Sequence, residues 1–307
     1  MRKIAIILIA MLLVWANALL AQGAYTYKVG EYEVILLPEG QQTSKPSVLI
    51  GATPEMLTET MSDGTYISAV NAFLVKTPQA NILVDTGYGH KLLENLASVG
   101  VSPEDIDQVL LTHMHRDHIG GLLLDGKAAF PNATLSISTP EAAYWTSKEI
   151  MNSMPENRRG GFQAAQKAVN IYEREAGFMD FEPLDIEDSL LDYVKMSDGY
   201  AMPKVDGVTG YKAFGHTPGH TMYMVESKGE KLLIWADLTH VMPIQMPYPE
   251  ISVTYDVDPK MAAESRKKVL EFVTINKIPI AGMHIAYPAI GNVEGYGKAY
   301  RFIPVSN

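Results

Sequence analysis

Apolar runs of four to eight positions alternate with amphipathic stretches along most of the chain. Runs rich in β-branched and aromatic residues, bounded by Gly, Pro, Asn or Asp, predict strands. One series falls at residues 25–37, 70–76, 82–84, 109–112 and 133–138, and a second at 207–214, 221–227, 231–236 and 278–283. Helical spacing lies between them. Residues 90–99 set Leu92, Leu93 and Leu96 on one face. Ser102-Pro103 starts a short helix by N-cap and first-turn proline, and Thr139-Pro140-Glu141 starts another that runs to about Met151. Residues 162–175 are helical and close at Gly177. Asp258 caps a long amphipathic helix to about Val273. Residues 38–64 read as a long loop with a short helix at 54–59, residues 152–161 as a polar loop, and residues 178–207 as irregular and acidic. Both halves run from strands into helices, which suits a pair of sheets flanked by helices.

Chemistry concentrates where the strands end. The apolar run Val109-Leu110-Leu111-Thr112 releases His113, His115, Asp117 and His118 within six residues. In an extended backbone His113 and His115 point to one side. Asp117 and His118 follow as the chain turns at Gly120-Gly121, facing a second point nearby. Imidazole with carboxylate suits zinc, iron or manganese. Four such groups exceed what one tetrahedral catalytic ion needs, so they read as half-shells of two ions. Three more ligand types stand at later strand ends: His216 in Gly215-His216-Thr217-Pro218-Gly219-His220, Asp237 after Leu232–Ala236, and His284 after Ala281-Gly282-Met283. Each alone reads as a capped turn or a satisfied buried residue. Together they fit one site at a sheet edge.

Composition narrows the picture. The 307 residues carry a net charge of −10, which argues against a nucleic-acid backbone as partner. Cysteine is absent, so there is no disulfide and no thiolate ligand, and any metal is held by His and carboxylate. Arg2 and Lys3 precede an apolar run at residues 4–16, followed by Ala16, Ala18 and Ala21. This pattern predicts a secretory signal peptide over residues 1–21, cleaved after Ala18 or Ala21, and a periplasmic or secreted mature chain of residues 22–307. The uninterrupted run is short for a bilayer span, and no lipid-modifiable Cys follows it, so no stable membrane anchor is expected.

The His113–His118 segment resembles the signature of the metallo-β-lactamase superfamily, and the order of His216, Asp237 and His284 is similar to its full ligand set. Val-Asn-Ala-Phe-Leu-Val at 70–75, Ala-Phe-Pro-Asn-Ala at 129–133, Tyr144-Trp145 and Tyr287-Pro288-Ala289-Ile290-Gly291 look like its methyl-parathion-hydrolase-like branch and that branch's lactonase relatives. The resemblance implies an α/β fold, a four-layer αββα sandwich in one domain, two divalent ions of zinc type (manganese, iron or cobalt being alternatives) and a homodimer. It implies one ion on His113, His115 and His216, the other on Asp117, His118 and His284, and Asp237 bridging both. Asp85, in Asp85-Thr86-Gly87, is expected to orient a metal-binding His, and His220 to support the site from behind. Trp145 and Phe162 stand where the branch lines a leaving-group pocket, with helix-face packing as the alternative. Tyr88 and His90 fall where it carries another aromatic.

The implied activity is hydrolysis of an ester-type bond by water activated between the two ions, with Asp117 accepting or passing on a proton and Asp237 holding both ions. The expected substrate is a small molecule: first a lactone of the acyl-homoserine type, then an aryl ester or phosphotriester. The alternatives are a β-lactam hydrolase, a thioester hydrolase of the glyoxalase II type, and a non-enzymatic metal- or ligand-binding protein of the envelope.

Overall fold

The computed structural model describes residues 23–186, 207–295 and 300–306. The expected signal peptide and most of the stretch at 178–207 lie outside the described residues. Strands β1 (Tyr25–Val29), β2 (Tyr32–Ser44), β3 (Leu49–Ile50), β4 (Tyr66–Lys76), β5 (Asn81–Val84) and β6 (Gln108–Leu110) open the chain. β7 (Leu123–Leu124), β8 (Lys127–Ala128), β9 (Thr134–Ser138) and β10 (Phe178–Phe181) follow. The second half supplies β11 (Val208–Lys212), β12 (Thr221–Ser227), β13 (Glu230–Ile234), β14 (Ser252–Val253), β15 (Ile280–Ala281), β16 (Ile290–Glu294) and β17 (Arg301–Pro304).

Two mixed sheets result. The first has seven strands in the order β1-β2-β4-β5-β6-β9-β10, and the second six in the order β11-β12-β13-β15-β16-β17. The centre of the first is parallel, with β5, β6, β9 and β10 running side by side. In the second, only β13 and β15 are parallel. Parallel neighbours bring their C-terminal ends to one edge, and the ligand loops leave from there.

The period-2 alternation sorts side chains between two cores. Val34 and Leu36 of β2, Phe73 and Val75 of β4, and Ile82 and Val84 of β5 join Met222, Tyr223, Leu233 and Ile234 of the second sheet. Ile35, Leu37, Ala72, Leu74 and Leu83 face the other way, onto Leu92, Leu96, Phe162, Ala165 and Val169 of the helices. The Pro259–Asn276 helix lies against the second sheet near β16 and sends Val269, Leu270 and Val273 into its core. The layers are therefore helix, sheet, sheet, helix. Among the described residues, no helix is long and apolar enough to cross a membrane.

Several elements depart from expectation, each for a tertiary reason. The run 25–37 is two strands. Its turn passes through Gly30 at φ +58°, where an added Cβ would stand 2.3 Å from the Ser227 carbonyl oxygen. The expected loop at 38–64 begins as a strand: β2 continues to Ser44 because β4 pairs with it throughout, across a bulge at Pro38–Gly40. The helix expected to run to Met151 breaks at Ser147, whose hydroxyl caps a second helix by accepting from Ile150 N. The polar loop at 152–161 is mostly helix: Lys148–Ser153 ends in it, Glu156–Glu175 is continuous through Gly160-Gly161, and a Cβ at Gly161 would meet the Trp145 ring at 3.1 Å. Residues 178–181, expected irregular, form β10 on β9. Strand β15 is not the last, since β16 and β17 complete its sheet.

Phe73 is fully buried between the sheets. Phe73→Ala is expected to cost about 3–5 kcal/mol through lost burial and the cavity left behind. Equilibrium denaturant unfolding measures it.

Candidate metal centre

The loop after β6 carries four of the seven expected ligands. His115 has extended backbone at the N-terminus of a single helical turn, Arg116–Ile119, which carries Asp117 and His118. The turn is held by the loop after β5. Thr86 donates from both N and Oγ1 to the His118 carbonyl, at 2.8 and 2.7 Å. Gly120 N donates to the Gly87 carbonyl at 2.9 Å. A Cβ on Gly120 would stand 2.6 Å from the Tyr88 carbonyl, so glycine permits this close approach.

The second sheet brings the other three. His216 sits on the loop from β11 to β12, Asp237 on the turn after β13, and His284 after β15. All seven residues meet. His115 Nδ1 lies 3.0 Å from His113 Nε2 and 3.0 Å from His216 Nε2. Asp237 Oδ2 lies 3.3 Å from His216 Nε2 and 3.6 Å from His113 Nε2. Four donors around one zinc at about 2.0–2.1 Å stand about 3.3 Å apart on a tetrahedron, so this set has the right size. The second set is wider: Asp117 Oδ2 is 3.9 Å from His118 Nε2 and 3.6 Å from His284 Nε2. It also meets Asp237, at 3.2 Å from His118 and 3.0 Å from His284. These groups could each hold a metal ion.

Unmatched atoms support this fit. His118 Nε2 and Asp237 Oδ1 are buried, face each other and have no hydrogen-bond partner among the described residues. Such atoms are costly unless a cation satisfies them. The charges agree. Burial drives His113 and His115 well below the usual imidazole pKa, reinforced by neighbouring imidazoles, so both keep the lone pairs a ligand needs. Burial works against the Asp237 carboxylate too, yet His118, His284, His113 and His240 hold it well below the usual range.

The outer nitrogens are fixed one by one. His118 Nδ1 donates to Asp85 Oδ2 at 2.6 Å. Asp85 is fully buried, has φ +59°, and also accepts from Thr112 N and Oγ1. Having given its proton to Asp85, the Thr112 hydroxyl accepts from His113 Nδ1 at 3.0 Å. His216 Nδ1 donates to Asp256 Oδ1 at 2.8 Å, and His284 Nδ1 to the Ala69 carbonyl at 2.8 Å. His220 is used at both ends: Nδ1 donates to the Ala213 carbonyl and Nε2 accepts from Asp237 N at 3.1 Å. Burial pushes it down to about 3, which keeps it neutral. It positions the Asp237 backbone and has no lone pair left for an ion.

The sequence reading did not single out His240 and Asp256. His240 Nε2 lies 3.0 Å from Asp237 Oδ2, and its ring stacks on His284 at 4.8 Å. Gln245 holds its loop by accepting from His240 N and Val241 N. A His three residues beyond a ligand Asp was the available signal for the first. For Asp256 there was none, because it reaches His216 from forty residues away in sequence.

The expected pocket residues separate. Tyr88 is 46% exposed, stacks on His90, and its phenol is raised by burial and by the nearby Asp117 carboxylate. Trp145 packs nearly perpendicular to His115, with ring centroids 5.5 Å apart. Phe162 packs on Trp145 at 4.6 Å, and both belong to the helix-side core.

A family model described as the metallo-beta-lactamase superfamily matches residues 66–277. The chain belongs to that superfamily. Among solved structures it is similar to AbOPH, a hydrolase of the β-lactamase superfamily, at 29% identity, covering 94% of this chain and 99% of that one with a TM-score of 0.81. It is also similar to AidC, a dizinc quorum-quenching lactonase in complex with a product, N-hexanoyl-L-homoserine. There the identity is 28%, the coverage 93% and 98%, and the TM-score 0.79. Curated relatives match over short segments. Exodeoxyribonuclease WalJ of Streptococcus pneumoniae is 43% identical over 56 residues, 18% of this chain and 21% of that protein. Metallo-beta-lactamase domain-containing protein 1 of Mus musculus is 49% identical over 70 residues, 20% and 25% of the two chains. The chain thus spans between a fifth and a quarter of the length of these curated relatives.

Carboxylates behind metal-binding imidazoles tighten binding by about 10- to 100-fold. Asp85→Asn and Asp256→Asn are each expected to weaken metal binding by about that factor while the far-ultraviolet circular dichroism stays unchanged. Zinc competition against a chromophoric chelator measures the first, and the second tests whether the fold survived.

Proposed function

We propose that the protein is a dinuclear metal-dependent hydrolase that opens a lactone, of the acyl-homoserine lactone class. The observation that carries this reading is the pair of ligand sets meeting at Asp237 in a chain that aligns with a dizinc lactonase over more than nine-tenths of both lengths. When bound, two divalent cations supply the acidity that makes water a nucleophile near neutral pH and the charge that polarises a substrate carbonyl oxygen. His113, His115, His216 and Asp237 would hold one cation. Asp117, His118, His284 and Asp237 would hold the other.

The remaining chemistry falls to side chains at the mouth. Asp117 is the less buried carboxylate of the set, at 22% exposure, and the charges of His118 and His284 keep it ionised against the effect of burial. It is placed to take a proton from the attacking water and pass it to the leaving alkoxide. Opening a lactone leaves that alkoxide tethered to the acyl group, so proton delivery at the mouth is what the ring-opened product requires. Tyr88 stands beside Asp117 and is free to meet a ring or an acyl chain. The ligand chemistry accommodates zinc, manganese, iron or cobalt. The leader-like residues 1–21 support action outside the cytoplasm, and the acidic net charge supports a small-molecule substrate rather than a nucleic acid.

The test is a kcat/KM panel on zinc- or manganese-loaded protein with short- and long-chain acyl-homoserine lactones, an aryl ester, a phosphotriester and a chromogenic β-lactam. Lactones are expected to lead, with turnover lost to chelator and in Asp237→Ala. A lead for the phosphotriester or the β-lactam overturns the substrate assignment. Full activity in Asp237→Ala overturns the metal assignment.

A further inference from the structure

Four of the five metal-site imidazoles have their outer nitrogen fixed by a protein acceptor: Thr112 for His113, Asp85 for His118, Asp256 for His216 and the Ala69 carbonyl for His284. His115 uses Nδ1 toward the site, and among the described residues its Nε2 meets no protein acceptor. Something else must orient it.

A single buried carboxylate braces the segment around it instead. Glu141 lies in the first turn of the Thr139–Thr146 helix and is fully buried. Its Oε1 accepts from the backbone N of Met114, the residue between His113 and His115, at 2.9 Å. The same oxygen accepts from Trp145 Nε1 at 2.6 Å, and Trp145 is the ring that packs against His115. Its Oε2 accepts from Gly219 N at 2.8 Å, in the loop that carries His216. Ser138, just before this helix, donates from Oγ to the Gly219 carbonyl at 2.6 Å. There is no room for a side chain here: a Cβ on Gly219 would stand 2.2 Å from Glu141 N. One side chain thus grips the loop of His113 and His115, the loop of His216, and the ring against His115. The three imidazoles it governs are those of the tighter ligand set.

We propose that Glu141 is a positioning residue for this half of the centre, setting His115 relative to His216 before an ion arrives. It does through the backbone and Trp145 what Asp85 and Asp256 do by direct hydrogen bond. Both the span and the charge matter. An aspartate keeps the charge but is one methylene too short to reach both loops. A glutamine keeps the size but turns an N–H donor toward one of the amides. Positioning costs no ordering of the loops at the moment of binding, so its loss appears as weaker binding at one half-site only.

The proposal rests on the two-ion reading above, and the experiment separates the two. Zinc stoichiometry and stepwise affinity are measured by chelator competition on wild type, Glu141→Gln and Glu141→Asp, with visible spectra of the cobalt-loaded forms and thermal unfolding alongside. The wild type is expected to bind two ions. Both variants are expected to keep one affinity at the wild-type value and lose about 10- to 100-fold in the other. Their cobalt spectra change, and kcat falls with KM within about twofold. Hydrogen exchange on metal-free wild type, which needs no variant to fold, is expected to find the Met114 and Gly219 amides protected. Two wild-type affinities and an unchanged cobalt spectrum in both variants, with only the unfolding midpoint lowered, would reduce Glu141 to a structural staple and overturn the proposal. So would free exchange of those two amides in folded metal-free protein. Fewer than two ions on the wild type would overturn the two-ion reading instead, leaving the exchange result to judge Glu141.

Discussion

A fully ionised carboxylate at the seam of two sheets is the constraint on which the site depends. Asp237 is almost completely enclosed, where a lone charge is strongly disfavoured. It is tolerated because five imidazoles surround it: His118 at one oxygen, and His113, His216, His240 and His284 at the other, between 3.0 and 3.6 Å. Burial and neighbouring positive charge deny His113 and His115 a proton. The carboxylates hold His118 well above its usual pKa, and hydrogen bonds to Asp237 and Asp256 lift His216 to about 9, in each case against burial. Such a cluster calls for compact positive charge. Protons meet that demand only by occupying nitrogens that converge on two common points. Divalent cations at those points would answer it with the lone pairs left free.

An outer ring of acceptors keeps this arrangement from relaxing. Five imidazoles around one carboxylate would otherwise rotate to form their best private hydrogen bonds. Asp85, Asp256, Thr112 and the Ala69 carbonyl each take the outer nitrogen of one ring, which sets both tautomer and plane. The sheets supply these acceptors in the same manner as the ligands, from strand ends and the loops just beyond them. Ala69 lies in β4, whose Asn71 also donates to the carbonyls of Gly282 and Ile285 on either side of His284. The same strand therefore fixes both the ring of His284 and the loop that carries it.

The ligands were legible because metal chemistry restricts residue type and because strand ends announce themselves by a change from apolar to polar. His113, His115, Asp117 and His118 stand in a short motif, and His216, Asp237 and His284 each end an apolar run. The supports were less legible. Asp85 was found only through family resemblance. Asp256 and Glu141 were not found, since a carboxylate in a loop or a helical first turn looks the same whether it faces water, an imidazole 40 residues away or a backbone amide 78 residues away. The elements followed the same division. The Asp258-capped helix is where local chemistry puts it, with Asp258 Oδ1 accepting from Met261 N. The extension of β2 to Ser44 is decided by pairing with β4, and the Trp145 ring crowds the space a side chain at Gly161 would take, and neither partner is adjacent in sequence.

The two ligand sets also explain why the site needs both sheets. His113, His115, Asp117 and His118 belong to the first, and His216, Asp237 and His284 to the second, so each of the two ligand sets is completed only by residues from both sheets. Their separation is fixed by contacts that cross the seam beside the site. Thr221 N donates to the Thr112 carbonyl at 2.9 Å, and Tyr223 Oη to the Leu111 carbonyl at 2.7 Å. Both acceptors lie immediately before His113. A shift of the sheets by even half an ångström would be felt first at these bonds and next at the distances between donor atoms. Close packing makes such shifts costly, because the inter-sheet core transmits rather than absorbs them. The apolar core is in this sense part of the metal centre: it holds at fixed distance two half-sites that have no covalent reason to meet.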